Sequence, residues 1–127
     1  MLREVVNVHQ QDPQLRRRWF CDDYFDIFVW ERMESNSAIV GFQLCYDKAQ
    51  HERVLSWRET TGYTHLGIDS GEPGPATNMS PIMVADGVLP LSDVLKKFDA
   101  GAARLDSRIR DFIREKLLNY GLEQNET

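Results

Sequence analysis

A two-residue alternation of apolar and polar side chains over residues 41–69 is the feature that most restricts the fold. The stretch reads GFQLCYDKAQHERVLSWRETTGYTHLGID. Successive side chains of a strand point to opposite faces of a sheet, so this alternation is typical of strands with one face packed on a core. Turn-forming residues interrupt the stretch at intervals, which predicts consecutive antiparallel hairpins.

Three predicted turns keep one apolar face continuous across four strands. They lie at Ser35–Asn36, Ala49–Gln50 and Thr61–Gly62. A slip of one residue at any turn would move an apolar set to solvent, so the register and the pattern support each other. The cross-strand pairs predicted to face the core are Ile27 with Leu44, Val29 with Phe42, Leu44 with Leu55, Phe42 with Trp57, Trp57 with Leu66 and Leu55 with Ile68.

Flanking segments extend this predicted β-meander. Residues 2–9 contain three valines and predict a short strand, and residues 24–32 are aromatic and β-branched and predict another. We interpret Arg16–Arg18 as a solvated loop ahead of the second of these strands. After the glycine- and proline-rich residues 70–81, Ile82–Ala85 predicts a short edge strand.

Helical periodicity dominates the C-terminal part of the chain. Ser92 is the predicted N-cap of one helix, Asp106 or Ser107 is the predicted N-cap of a second, and Gly121 is its predicted C-terminal cap. An apolar stripe needs an apolar surface to pack on, and the meander offers one. The stripe of the second helix consists of Ile109, Phe112, Ile113, Leu117 and Tyr120.

The predicted fold class is therefore α+β. A chain of 127 residues is long enough for one domain that folds without disulfides or metal. We expect a single domain over residues 1–127. Its sheet is an antiparallel meander of four to six strands over about residues 2–86, and two C-terminal helices over about residues 92–120 pack on one face.

Charge and composition argue against several classes of function. The net charge of −5 disfavours nucleic acid, whose binding depends on neutralising phosphates. No apolar run approaches the roughly 18 residues of a membrane span, and the first residues lack the apolar block of a signal peptide. We therefore expect no membrane contact and a cytoplasmic location, where Cys21 and Cys45 would be free thiols.

The second face of the predicted sheet is polar and aromatic, and it is the candidate site. Aromatic walls with a few polar groups are typical of small-molecule sites, although antiparallel sheets also commonly leave one face to solvent, loops or a partner. The residues predicted to share this face are Tyr24, Asp26, Phe28, Trp30, Gln43, Cys45, Ser56, Arg58, Tyr63 and His65. The candidate ligand-binding residues among them are Tyr24, Asp26, Trp30, Gln43, Arg58, Tyr63 and His65.

No motif in the chain indicates a reaction, a cofactor or a metal. His65 is predicted beside Arg58 but roughly 14 Å from Asp26, at about 4.8 Å per strand, which is too far for a hydrogen bond. The aspartates lack the calcium-loop pattern, no histidine pair has ligand spacing, and no GK[ST] phosphate loop is present. We therefore predict no catalytic residue, no cofactor and no metal ligand.

Several segments resemble a small family of uncharacterised bacterial proteins. They are WFCDDYFDIFVWE, GFQLCYD, VLSWRE and GYTHLGIDSGEPGP followed by SPIMVADG. The resemblance covers about residues 16–115 and implies a bacterial, cytoplasmic source. It implies no activity, ligand or catalytic residue.

Three functional hypotheses follow from the sequence. The first is a non-enzymatic cytoplasmic domain that binds a protein partner or a second copy of itself through Phe28, Trp30 and Trp19. The second is binding or catalysis of a small anionic ligand on the same face. The third is single-stranded nucleic acid binding through the aromatic residues and Arg16–Arg18. A closed pocket would favour the second hypothesis, and a flat exposed sheet the first.

Overall fold

The architecture is a meander covered on one side by helices. The structure is a computed structural model, and it describes residues 1–34, 37–69, 82–85 and 88–125. Seven antiparallel strands in these residues are neighbours in chain order, one more than the four to six predicted. The predicted α+β meander with two C-terminal helices is confirmed. The elements are β1 Arg3–Glu4, β2 Leu15–Cys21, β3 Phe25–Arg32, β4 Ile39–Tyr46, β5 Arg53–Arg58, β6 Gly62–Asp69, β7 Ile82–Ala85, α1 Leu91–Gly101 and α2 Ser107–Asn125.

The apolar face of the sheet packs against both helices. Phe98 of α1 meets Phe25 edge to face, with ring centroids 6.2 Å apart. Phe112 of α2 stands perpendicular to Phe42 at 6.5 Å. Packing of this kind removes large apolar surfaces from water and is the main stabilising contribution to the fold. The core includes Ile27, Val29, Phe42, Leu44 and Leu55 from the sheet and Val94, Phe98, Ile109, Ile113 and Leu117 from the helices.

The first two predicted registers are confirmed. Ile27 pairs with Leu44 and Val29 pairs with Phe42 between β3 and β4. β4 and β5 also pair in the predicted register. The predicted loop at residues 35–36 lies outside the described residues. Apolar pairing across strands was therefore a sufficient guide to register in this part of the sheet.

The register predicted for β5 and β6 is wrong. Trp57 was predicted opposite Leu66 and lies opposite Tyr63, because the loop spans three residues, 59–61. Gly62 follows this loop with a φ of 77°, a left-handed conformation that glycine adopts without strain. The glycine thus stands after the loop rather than inside it. The side chains of Tyr63, Thr64, His65 and Leu66 are therefore exchanged between the two faces relative to the prediction.

The N-terminal prediction is wrong in part. The strand predicted over residues 2–9 is only Arg3–Glu4. Arg16–Arg18, predicted as a loop, lies within β2. Arginine side chains alternate between faces like any others in a strand, and their aliphatic stems cover apolar surface. A run of charged residues therefore does not exclude a strand.

Of the three predicted helix caps, one is confirmed and two are wrong. α1 begins at Leu91, one residue before the predicted N-cap Ser92. Asp106 is confirmed as a cap of α2, since its side chain accepts a hydrogen bond of 2.9 Å from the main-chain N–H of Arg108. α2 continues through Gly121, where a Cβ would collide with Leu91. This glycine permits close approach of the two helices and does not end the second one.

Candidate functional site

The face of the sheet turned away from α1 and α2 has aromatic and charged side chains, and we term it the open face. No helix and no second sheet packs on it within the described part of the chain. Its aromatic side chains are partly buried by their neighbours on the same face. The open face comprises Arg17, Trp19, Asp26, Phe28, Trp30, Gln43, Cys45, Ser56, Arg58, Thr64 and Leu66.

Four of the seven candidate ligand-binding residues come together on the open face. The pairing of β3, β4 and β5 places Asp26, Trp30, Gln43 and Arg58 there, as predicted. Tyr24 is different, because it precedes β3. Its ring stacks on the buried Tyr46 with centroids 6.5 Å apart and lies 4.7 Å from Lys97 Nζ of α1. Tyr24 therefore belongs to the helix side of the molecule.

Tyr63 and His65 lie on the helix-packed face, because β6 has the register described above. The Tyr63 hydroxyl donates a hydrogen bond of 2.9 Å to the carbonyl oxygen of Lys116 in α2. His65 is 8% exposed, and its Nε2 lies 2.6 Å from the hydroxyl oxygen of Tyr46. The predicted neighbour pair of Arg58 and His65 is therefore wrong, since the two side chains lie on opposite faces.

Two arginines of the open face stack on aromatic rings. Arg17 Cζ lies 5.0 Å from the centroid of Phe28, and Arg58 Cζ lies 4.8 Å from that of Trp30. Trp19 stacks on Phe28 with centroids 5.4 Å apart, and Phe28 lies 6.5 Å from Trp30. These five residues form a continuous layer across the sheet, which we term the arginine–aromatic array.

Gly41 makes the contact between Arg58 and Trp30 possible. It lies between these two residues in a cross-strand row, on the central strand β4. A Cβ at this position would lie 3.4 Å from Arg58 Cγ and 3.0 Å from the carbonyl oxygen of Trp57. Because glycine has no side chain, the guanidinium reaches across β4 to the indole ring.

Neither arginine of the array forms an ion pair with any described residue. Arg17 Nε is buried without a hydrogen-bond partner among the described residues. A guanidinium that stacks through its planar face keeps N–H donors in its plane, in the fork that matches a carboxylate. The array therefore presents two oriented cations on an aromatic surface.

The carboxylates of Asp26 and Glu31 have partners other than Arg58. Asp26 accepts a hydrogen bond of 3.0 Å from Trp19 Nε1 and lies 3.4 Å from Lys48 Nζ. Glu31 is 3% exposed on the other face and binds the guanidinium groups of Arg18 and Arg108. Arg58 is thus available for a partner outside the chain.

The far end of the open face contains the Cys45 thiol near two carboxylates. Burial raises the pKa of the Cys45 thiol to about 12, and the charges of Glu52 and Asp26 add to the effect. Cys45 is therefore protonated at neutral pH and is not an activated nucleophile. No group of three or more His, Cys, Asp or Glu residues in the described ranges could hold a metal ion.

The broad concavities of the surface lie at the margins of the sheet. One, of about 710 Å³, lies between β6 and α2 and is lined partly by Trp57, Tyr63 and Tyr120. Another, also of about 710 Å³, is lined partly by Asp23 and Glu52. Neither is lined by a member of the array. A third, of about 470 Å³, lies beside the outer edge of β2 and is lined partly by Arg17. The rest of the array is a stacked surface on the sheet beside these concavities.

The sequence names Arg17 only in the nucleic acid hypothesis and does not place it on the open face, because the arginine run is predicted as a loop and lies within β2. The signal was present in the alternation of LRRRWFC, where Arg17 and Trp19 share one face while Arg18 and Phe20 share the other.

Comparisons with protein-family models, with curated proteins and with solved structures found no match to this chain. The resemblance to a bacterial family stays a prediction. No helix in the described ranges has the length and apolarity to cross a membrane. The function is therefore argued from the site alone.

Proposed function

We propose that this protein is a non-enzymatic binding domain of the bacterial cytoplasm, and that the arginine–aromatic array docks a partner protein presenting acidic side chains. The observation that carries the proposal is the pair Arg17 and Arg58, stacked on aromatic rings without a described carboxylate partner. The cytoplasmic location is consistent with the free thiols of Cys21 and Cys45.

The composition of the array supports docking of a protein. Trp and Arg are enriched among the residues that dominate protein–protein binding energies, and such residues cluster at the centre of an interface. Stacking on Phe28 and Trp30 also restricts the two arginine side chains before binding. Less side-chain entropy is then lost when a carboxylate pairs with each guanidinium.

Two other classes of ligand fit the open face less well. A small anionic ligand held jointly by Arg58 and His65 is incompatible with the pairing of β5 and β6. A nucleic acid strand would meet the carboxylates of Asp26 and Glu52 on the same side of the sheet, in a chain of net charge −5. A protein surface can place carboxylates beside Arg17 and Arg58 and avoid the acidic end.

The experiment compares three immobilised forms of the protein. They are the wild type, the double variant Arg17→Met/Arg58→Met, and the matched control Arg104→Met/Arg114→Met, whose arginines lie outside the open face. Proteins retained from the source cells by the wild type are identified, purified and titrated by calorimetry. We expect an acidic partner whose affinity falls by about 30-fold or more with the array variant, as for loss of two charge-assisted contacts.

The matched control should bind this partner within about twofold of the wild type, and added salt should weaken wild-type binding. Equal losses in both double variants, or retention of no such partner, would refute the proposal. A concentration-dependent dimer that only the array variant loses in sedimentation would instead assign a second copy of this chain as the occupant.

A further inference from the structure

The outer edge of β2 is covered by a segment that is not a strand. β1 pairs with Phe20 and Cys21 alone, two of the seven residues of β2. Residues 5–14, which we term the strap, cover the rest of this edge and contain neither helix nor strand. An uncovered edge would present unpaired main-chain groups to other chains, so its covering is a structural requirement.

A side chain of the strap takes the place of a neighbouring strand. The main-chain N–H of Arg17 donates a hydrogen bond of 2.7 Å to Gln10 Oε1, and Gln10 Nε2 donates one of 2.8 Å to the Arg17 carbonyl oxygen. A side-chain amide has the same donor and acceptor groups as a peptide unit. The two bonds therefore reproduce those that a paired residue of an antiparallel strand would make.

The strap is attached to β2 at few points. Besides the bonds of Gln10, Val5 N–H donates a hydrogen bond of 2.9 Å to the Trp19 carbonyl oxygen. The Asp12 carbonyl oxygen accepts one of 3.1 Å from Leu15 N–H, and the Gln14 carbonyl oxygen accepts one of 3.0 Å from Met33 N–H, beyond the end of β3. A cavity of about 470 Å³ lies between the strap and β2. Most side chains of the strap are exposed. Lifting the strap would thus break a few hydrogen bonds and uncover little apolar surface.

The charge at this edge favours one occupant over another. Arg16 and Arg17 form no ion pair with described residues, whereas Arg18 is paired with Glu4. Antiparallel pairing with the same edge of a second copy would bring these arginine runs close together, which is unfavourable. An extended segment with acidic side chains would meet the arginines with opposite charge.

We propose that the outer edge of β2 is a strand-addition site, at which an extended acidic segment of a partner protein displaces Gln10 and the main-chain N–H of Val5 and pairs with the main chain of Arg17 and Trp19. The site goes beyond the docking surface proposed above, because main-chain groups at the sheet edge carry it rather than side chains of the open face. Main-chain bonds supply affinity in this mode of recognition, and alternate side chains supply specificity.

The test uses the acidic peptide acetyl-TEVEVET-amide and amide hydrogen exchange of the ¹⁵N-labelled full chain. In Gln10→Ala, exchange of the Arg17 amide should accelerate by about tenfold or more, and saturating peptide should restore its protection. The peptide should bind Gln10→Ala about tenfold more tightly than the wild type, because no side chain has to be displaced first. Gln10 is exposed, so this variant leaves the core intact.

Two control peptides and one control variant separate this site from others. A copy of the peptide N-methylated at alternate residues should not bind, since it lacks the main-chain donors of a strand. A copy with lysine in place of glutamate should bind about tenfold more weakly or worse. Arg58→Met should leave peptide affinity within about twofold, because Arg58 lies on β5, three strands from β2.

Two results would overturn the proposal. In the first, the Arg17 amide of Gln10→Ala stays unprotected at about 1 mM peptide, a concentration that detects even weak binding. In the second, the N-methylated peptide binds as tightly as its parent. Either result would make Gln10 a cap of the sheet edge and nothing more.

Discussion

Arg17 and Arg18 are adjacent in β2, and their surroundings show how the two faces of the sheet differ. Arg18 points to the helix side, where it donates a hydrogen bond of 2.8 Å to Glu4 and lies 3.4 Å from Glu31. Arg17 points to the open face, where it stacks on Phe28 and its Nε has no hydrogen-bond partner among the described residues. Arg18 is thus paired within the chain, whereas Arg17 keeps a guanidinium donor that no described residue accepts.

The satisfied charges of the helix side have a structural role. Arg108 at the start of α2 donates a hydrogen bond to Glu31 and another, of 2.9 Å, to the carbonyl oxygen of Ser37. Arg108 thereby connects the helix to the buried carboxylate of β3 and to the segment before β4. A buried charge that keeps its partners is tolerated, and one that loses them is costly. Substitutions that remove a partner should therefore lower the stability more on the helix side than on the open face.

Removing one aromatic ring from each face should give the largest difference between the two losses in the free energy of unfolding. Phe98→Ala should lower the free energy of unfolding by about 3–5 kcal/mol, because the side chain is fully buried and leaves a cavity. Phe28→Ala should cost about 1 kcal/mol, since its ring is only partly buried and mainly loses stacking. Urea unfolding of both variants measures the difference. Equal losses would mean that the open face is covered in the folded protein.

Removing one carboxylate from each face should give a smaller difference between the two losses in the free energy of unfolding. Glu31→Gln should lower the free energy of unfolding by about 3 kcal/mol, because it leaves Arg18 without its buried partner. Asp26→Asn should cost less than about 1 kcal/mol, since its ion pair with Lys48 is partly solvated. The measurement is again equilibrium unfolding in denaturant. A loss below about 1 kcal/mol for Glu31→Gln would contradict the buried-charge account.

Arg58→Met should lower stability by no more than about 1 kcal/mol, because the variant keeps the apolar stem and removes only the contact with Trp30. Arg18→Met is the matched change on the helix side, and it should cost about 3 kcal/mol by removing a partner of Glu31. Denaturant melts of the two variants provide the test. A loss of several kcal/mol for Arg58→Met would indicate a buried ion pair and would contradict its availability for docking.

The smallest predicted effects concern the pH dependence of stability. They have opposite signs for Glu4, on the helix side, and Glu52, on the side of the open face. The hydrogen bonds from Arg18 hold the pKa of Glu4 below its ordinary value of 4.5. Glu4 therefore contributes stability that is complete above pH 4.5 and is lost as the pH falls through its folded-state pKa. Burial raises the pKa of Glu52, and Asp26 adds to the effect. Its carboxylate therefore destabilises the fold at neutral pH, and this cost disappears as the pH falls through the raised pKa.

Thermal melts near pH 7 and about pH 3 should show this difference in sign. Glu4→Gln should lower the midpoint near neutral pH and have little effect in acid. Glu52→Gln should raise the midpoint near neutral pH and also have little effect in acid. Shifts of the same sign for both variants near neutral pH would contradict the predicted difference between the two sides.

The success of sequence reasoning followed the distribution of apolar residues along each strand. In β3 and β4 the core-facing positions are apolar and the opposite face contains Asp26 and Gln43, so only one register is compatible with a buried core. In β6 both faces contain large side chains, Tyr63 and His65 on one and Leu66 on the other. The pattern therefore did not select a face, and the length of the preceding loop decided it.

The array illustrates the same limit for a candidate site. Trp30 and Arg58 were predicted to share a face, because they belong to strands whose register was correctly predicted. The place of Arg17 on this face was missed, because the arginine run was interpreted as a solvated loop and lies within β2. The buried network of Glu31 depends on contacts between residues 77 positions apart, such as that with Arg108, which no local pattern encodes.

Because both helices follow the strands in the chain, the apolar face of the sheet stays uncovered for a time during protein synthesis. When a ribosome has made residues 1–85, all seven strands exist, but both helices that cover the apolar face are still missing. At roughly 5–20 residues per second, the last stretch of about 40 residues takes roughly 2–8 s to appear. During that interval a nascent meander would expose Ile27, Phe42 and Leu44 to other chains in the cell. The protein is thus expected to be a client of ribosome-associated chaperones until α2 has emerged.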